Sequence, residues 1–572
     1  MRSSSLLYLA WALSLLVSSS LVSAAVVEHT WEIANVTVRR LCNERVIAAV
    51  NGSLPGPTIN VREGDTLVVH AINKSPYNLT LHWHGIFQLM TQWTDGPEYV
   101  TQCPILSGGK YTYRFNVTAQ EGTLWWHSHS SFLRAWVYGA LIIRPRLGKS
   151  YPFPKPYKEV PIVFGEWWDA NVIDIEEEAQ QFGGAPRISN AFTINGLPGT
   201  LYNCSQNQTF QLDVQQGKTY LLRIVNAALN EHLFFKIASH TFTVVAVDAA
   251  YTNPYHTDII VVAPGQTVDA LLTANQTVGS YFMAATPYQT LNGTNNNSTT
   301  TGVVVYNGSN TTTPLMPSLP PNSDTQTANT FYSGPTGLVG GPHWVPVPQD
   351  VDEHMFITVG IGLDFCNLPN NTCWGPLNST RLSASMNNES FVLPEGRGFS
   401  MLDAFYRNAS VGVYTRDFPD QPPLVFNYTD SSLNNNQTLA FAPKSTKVKT
   451  LKFNSTVQVV FQNTAILAAE NHPMHIHGFN FHVLAQGTGN YNASNDESKF
   501  NLKDPQIRNT VAVPFAGWAV IRFQANNPGI WFVHCHIDTH LTWGLSMAFE
   551  VENGPTPETT LPPPPADLPT QC

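Results

Sequence analysis

Charge is what this sequence has least of. Asp, Glu, Lys and Arg make up 12% of its 572 residues, about half the ~25% of an average soluble protein. The 30 Lys and Arg are outnumbered by 40 acids, for a net charge of −10. That balance argues against nucleic acid as a partner, because phosphate binding draws on clustered cations. Long apolar runs are also missing: after Leu6–Val17 no stretch of ~20 apolar residues follows, so no membrane span is expected. Amphipathic helical windows are scarce. Intrinsic disorder is excluded as well, since 43% of the residues are hydrophobic, ample for packed cores. Cysteine is sparse and odd in number, at seven.

What is present begins with a short positive start, Met1-Arg2, the apolar run, and the small-residue site Val22-Ser23-Ala24. These read as a secretory signal peptide over residues 1–24. Asn-x-Ser/Thr acceptors recur, as at Asn35, Asn78, Asn116, Asn207, Asn292, Asn388 and Asn454. In an exported chain they imply N-glycans, and glycans explain a polar surface that carries little charge. Nothing signals an interface, so a monomer is expected.

The chain reads as all-β. Short alternating stretches rich in Val, Thr, Phe and Tyr, such as Thr66–Ile72, Tyr220–Val225 and Val457–Phe461, are punctuated by 38 Gly, 41 Pro and many Asn. A loose repeat opens at Arg62–Thr66 and at Val214–Thr219, each followed by a run ending in Asn (Asn73, Asn226), and a third run ends at Asn463. Three copies of one β-unit is the economical reading. The Pro-, Asn- and Thr-rich stretch from about Asn292 to Asp350 reads as a long surface connection.

Ten of the 18 histidines fall in four clusters: His82/His84, His127/His129, His472/His475/His477 and His534/His536/His540. In a strand, His-x-His places two imidazoles on one face. Four such pairs offer eight imidazoles, and a single zinc closes at four ligands, so the count asks for a multi-metal cluster. Cys535, between His534 and His536, must face the other way. With His472 and His540 it makes a two-His, one-thiolate set, the blue-copper pattern, with Leu545 as a non-coordinating axial neighbour that raises the reduction potential. The remaining histidines (His29, His70, His232, His240, His256, His343, His354, His482) read as ordinary surface or core residues.

These residues resemble the four copper motifs of the multicopper oxidases, and within that family the chain is most similar to the plant laccases. The resemblance runs from about Cys42 to Cys572 and includes Gly56-Pro57-Thr58 and Trp93–Pro97. It implies three consecutive cupredoxin-like domains, of Greek-key β-sandwich or barrel type, over residues 25–147, 148–349 and 350–572, the middle one without copper. It implies four coppers per chain. His472, Cys535 and His540 match the type 1 ligands, and His82 and His475 the type 2 ligands. His84, His127 and His536 match one type 3 set, and His129, His477 and His534 the other.

Catalysis in the family then falls to Cys535, His534, His536 and His540, with Asp95 resembling an acid that helps deliver protons; the alternative for Asp95 is a plain turn residue in Asp-Gly-Pro. Fungal laccases place an aspartate beside the substrate, and a rough alignment puts Asn230 there, with Glu231 adjacent, as hydrogen-bond partners for a phenol hydroxyl alongside His540. The resemblance also implies disulfides Cys103–Cys572 and Cys42–Cys204, and Cys366 and Cys373, seven apart, would pair locally; six cysteines alone allow 15 pairings.

The function so implied is a secreted laccase of the apoplast. It would take single electrons from phenols, monolignols in lignin polymerisation or degradation, and reduce dioxygen to water. The runner-up is ascorbate oxidase, which typically has an axial methionine where this chain has Leu545. A ferroxidase would need acidic residues near His472 and His540, and the sequence identifies none. A non-catalytic copper or electron carrier would leave eight imidazoles without purpose.

Overall fold

A computed structural model of the chain describes residues 24–205, 207–289, 296–310, 313–433, 436–468 and 470–572. The signal-peptide reading and Asn292 lie outside the described residues.

Strands dominate because β-branched and aromatic residues alternate with polar ones, and they stack into three successive β-sandwiches. The first pairs two four-stranded sheets built from strands between Val26 and Arg144. The second pairs a six- and a five-stranded sheet between Lys158 and Tyr306, and the third does the same between Glu353 and Val551. Each sandwich encloses its own apolar core. In the first, Trp31 lies between Trp126 and Trp83, with ring centroids 4.3 and 5.9 Å apart.

The internal repeat is physical. Thr66–Asn73, Thr219–Asn226 and Thr456–Asn463 are equivalent eight-residue strands inside their sheets. The asparagine ending each is fully buried, and its amide donates to two backbone carbonyls of a following segment: Tyr77 and Ile105, Glu231 and Val262, Glu470 and Pro514. A buried amide with its donors satisfied holds loops at fixed places, and two of these loops reach the site described below.

The stretch read as a surface connection is more ordered than its composition implied. Thr300–Tyr306 is a strand of the second sandwich, and Thr325–Ser333 is a helix capped by Asp324, whose carboxylate accepts from the Thr327 N–H. Phe331 and Tyr332 of that helix are buried in the second core. Composition concealed both elements because Asn and Thr are turn formers whose side chains here find partners.

Three disulfides join Cys42–Cys204, Cys103–Cys572 and Cys366–Cys373, the first two as the resemblance implied and the third as its close spacing did, and Cys535 is a buried free thiol. No described helix is long and apolar enough to cross a membrane.

Candidate metal centre

Strand register brings the histidines together. Leu81–His84 runs antiparallel to Gly122–Ser128 with His82 opposite His127, and Trp83 turned back into the core. In the third sandwich, His472–Ile476 runs antiparallel to Gly529–Cys535 with His475 opposite His534 and Met474 opposite Cys535. Alternation along the strand then sorts the side chains: His475 faces one way with His534, and Met474 joins Cys535 in the apolar core. The first and third sandwiches meet with their imidazole faces together. His84 and His475 stack at 3.9 Å between ring centroids, and His82 lies 4.1 Å from His477.

Most of these rings are held at one nitrogen. The Nδ1–H of His82 donates to the Asp95 carbonyl (2.7 Å), that of His475 to the Asn509 carbonyl (2.8 Å), and that of His127 to the Ser128 carbonyl (2.8 Å). Their Nε2 atoms, with Nε2 of His129, are buried without a partner. His477 donates from Nδ1 to the Asp95 carboxylate (2.9 Å) and His534 from Nδ1 to the Cys535 carbonyl (2.9 Å), so their Nε2 lone pairs face each other across 3.1 Å. His84 is held at Nε2 by Asn509 Oδ1 (3.0 Å), and its Nδ1 meets Nε2 of His536 at 3.1 Å. The facing lone pairs of His477 and His534, with no proton between them, call for a shared cation, and outer hydrogen bonds that fix tautomers are what metal-binding histidines carry. Burial and mutual proximity hold His84, His127, His129, His475, His477 and His536 well below the usual imidazole range, and His534 down to about 3. All are neutral, as ligation requires.

Among the groups whose donor atoms lie mutually within 4.8 Å are His82/His84/His475, His84/His127/His536, His129/His477/His534 and His472/Cys535/His540. In the last, Cys535 Sγ lies 3.7 Å from His472 Nδ1 and 3.5 Å from His540 Nδ1. Burial pushes the bare thiol's pKa up, so a thiolate here requires a cation. Soft sulfur with two imidazoles suits copper. Leu545 is buried in the same core cluster as Cys535 and accepts from the Cys535 N–H through its carbonyl (3.0 Å). Met547 pairs with Val533, two residues before Cys535.

Asp95 serves both sides of the interface, since it accepts from His82 and His477. Its turn depends on Gly96, at φ +104°, where a Cβ would strike the Leu81 carbonyl. Asn230 sits beside the His540 loop with its Oδ1 engaged there, and Glu231 follows it in the chain. Asn230 Oδ1 accepts from the Thr539 hydroxyl (2.8 Å) and N–H (3.3 Å). Glu231 is buried near Glu166 and Glu470, and burial raises its pKa well above the carboxylate range.

Residues missed in the sequence complete the site. Glu470 Oε2 lies 3.1 Å from His540 Nε2; its place two residues before His472 was a signal, and it supplies the acid that the ferroxidase comparison lacked. Buried Arg134 contacts the His536 ring, pairs with Asp538 (2.7 Å) and donates to the Leu229 and His536 carbonyls. Burial lifts Asp538 to about 6 in spite of Arg134.

Models of the multicopper oxidase family match residues 32–148, 158–309 and 417–555. The chain is 60% identical over 568 residues to Laccase-7 of Arabidopsis thaliana, covering 98% of each. It is 56% identical to Laccase-24 of Oryza sativa subsp. japonica across the whole of both. Among solved structures, the laccase from Botrytis aclada superposes with a TM-score of 0.71 at 26% identity, covering 95% of this chain and 89% of that one. The three sandwiches are therefore cupredoxin-like, copper is the cofactor, and the chain belongs to the multicopper oxidase family, where it groups with the plant laccases.

Proposed function

We propose that the protein is a laccase that takes electrons singly from phenols at the His540 edge and reduces dioxygen to water among the eight imidazoles. The observation that carries this reading is the chain path His534-Cys535-His536. The strand ending at Cys535 delivers its thiol to the mononuclear set, and His534 within it and His536 just past its end go to the cluster, so a short covalent route joins the two. Copper supplies the redox chemistry, one-electron acceptance at the mononuclear site and four-electron reduction of dioxygen at the trinuclear one.

The protein's own groups do the rest. His472, Cys535 and His540 would hold type 1 copper beside apolar Leu545. His82 and His475 would hold type 2, and His84/His127/His536 and His129/His477/His534 the type 3 pair. Asp95 fixes the tautomers of His82 and His477 and is the carboxylate placed to pass protons to the cluster. Asn230 positions Thr539, and so the His540 turn, rather than meeting substrate. Glu470, its carboxylate 3.1 Å from His540 Nε2 and partly exposed, is the polar group that an incoming phenol hydroxyl meets.

A division at residues 25–147, 148–349 and 350–572 is the reading that the three sandwiches support. Monolignols as substrates, secretion to the apoplast, N-glycans and a monomeric state complete the reading, supported by the plant relatives and the N-terminal sequence. Oxygen uptake measured side by side on coniferyl alcohol, ascorbate and Fe(II) tests it. Coniferyl alcohol should be fastest; a faster rate on ascorbate, or on Fe(II) through Glu470, would replace it.

A further inference from the structure

The middle sandwich supplies no residue to the metal sets above, yet two of its turns reach the eight imidazoles. The hairpin joining Phe242–Val247 to Ala250–Thr257 turns on Asp248 and Ala249, with Val247 paired to Ala250. Both turn residues sit at positive φ, +45° and +59°, as a two-residue hairpin loop requires, and alanine at the second is strained where glycine is usual. Such strain persists where surrounding contacts over-determine it. The second turn runs from Ala263 to Gln266, whose N–H donates to the Ala263 carbonyl (3.0 Å). It brings Gly265 so close to His536 that a Cβ there would lie 2.8 Å from the ring.

Asp248 is buried against the third sandwich. Its carboxylate accepts from the Thr267 N–H (2.9 Å) and the Thr510 N–H (3.3 Å), and lies 3.4 Å from Arg508 Nη1. Gln266 takes the other side of Thr510, donating from Nε2 to its carbonyl (2.9 Å). Thr510 and its neighbour Asn509 hold two of the imidazoles. Asn509 Oδ1 accepts from His84 Nε2 (3.0 Å), and its carbonyl accepts from His475 Nδ1 (2.8 Å). The Thr510 hydroxyl lies 3.1 Å from each of those nitrogens. The middle sandwich thus grips the segment that fixes the tautomers of one histidine from each outer sandwich.

We propose that Asp248 and Gln266 are positioning residues for the trinuclear set, acting through the Asn509–Thr510 backbone on His84 and His475. His475 belongs to the pair matched to type 2 copper, so that copper should feel their loss first. The inference rests on the copper assignment and not on phenol as the substrate.

The test is a chelator titration of the copper-loaded enzyme, with type 2 copper followed by its electron paramagnetic resonance signal and type 1 copper by blue absorbance. Asp248→Ala and Gln266→Leu should each release type 2 copper at about tenfold lower chelator concentration than the wild type, the low end of what outer partners contribute to metal affinity, with the blue absorbance retained. Gln266→Leu strands no buried charge and decides the matter if Asp248→Ala fails to fold. Asp248→Asn keeps an acceptor for the Thr510 N–H and should restore most of the affinity. Asp269→Asn is the control. Asp269, paired with Arg223 (2.8 Å), ties the middle sandwich to the first by accepting from Thr123, so its loss should lower the unfolding temperature and leave type 2 affinity unchanged. Unchanged type 2 affinity in Gln266→Leu, loss of both coppers together, or an equal loss in Asp269→Asn overturns the proposal. A wild type that holds four coppers yet fails to oxidise phenols would instead count against the laccase reading and leave this inference standing.

Discussion

The two metal sets are built in opposite ways. His472, Cys535 and His540 all come from the third sandwich and close over a local stretch of one core. The eight imidazoles come half from the first sandwich and half from the third, so they exist as a set only while those two are docked. The first set is a property of one domain and the second of an interface. The connecting groups reflect this: Asp95 reaches His477, Asn509 reaches His84, and Arg134 reaches Asp538 and Leu229.

The sharpest way to separate the two is to damage the interface set alone. His477→Ala should cut dioxygen reduction by about 10⁴-fold or more, as when one member of a catalytic unit is removed, while the blue absorbance of the mononuclear site survives; loss of both together would mean that they are not independently built. Arg134→Ala should come next. It leaves Asp538 buried without its cation, at a cost of about 3–5 kcal/mol in denaturant unfolding, and releases copper from the cluster before the mononuclear site.

A smaller effect is expected from Glu176, whose carboxylate accepts from Ser131 and from the Phe132 N–H just after His129. Burial lifts it to about 7. Below its ordinary range near 4.5 both folded and unfolded states hold the proton and its contribution is complete. As pH rises from about 4.5 to 7 only the folded state keeps the proton, so stability falls. Glu176→Gln should flatten that fall by about 1–3 kcal/mol in chemical denaturation across this window; an unchanged slope would show that the carboxyl is ionised. The smallest effect belongs to the mononuclear side. Asn230→Ala loosens Thr539 by about 0.5–1.5 kcal/mol, read as a few-fold rise in KM for phenol with the blue spectrum intact.

The same contrast explains what the sequence disclosed. His-x-His and His-Cys-His are local, and the two-residue period of a strand fixes their faces before any fold is known. The run-ending asparagines Asn73, Asn226 and Asn463 were equally visible, although their work of pinning distant carbonyls was not. Arg134 and Asp538 are some 400 residues apart, and nothing in either neighbourhood announces the other. Asn230 stood near the right place but had its oxygen committed to Thr539. Thr300–Tyr306 was hidden by a composition that suits loops.

The central claim is that Cys535 serves one site directly and the other through its neighbours. Copper content and dioxygen uptake of Cys535→Ser, with coniferyl alcohol as reductant, test it most directly. The account predicts three coppers per chain against four in the wild type, no blue colour and no uptake; dioxygen consumption retained by that variant would contradict it.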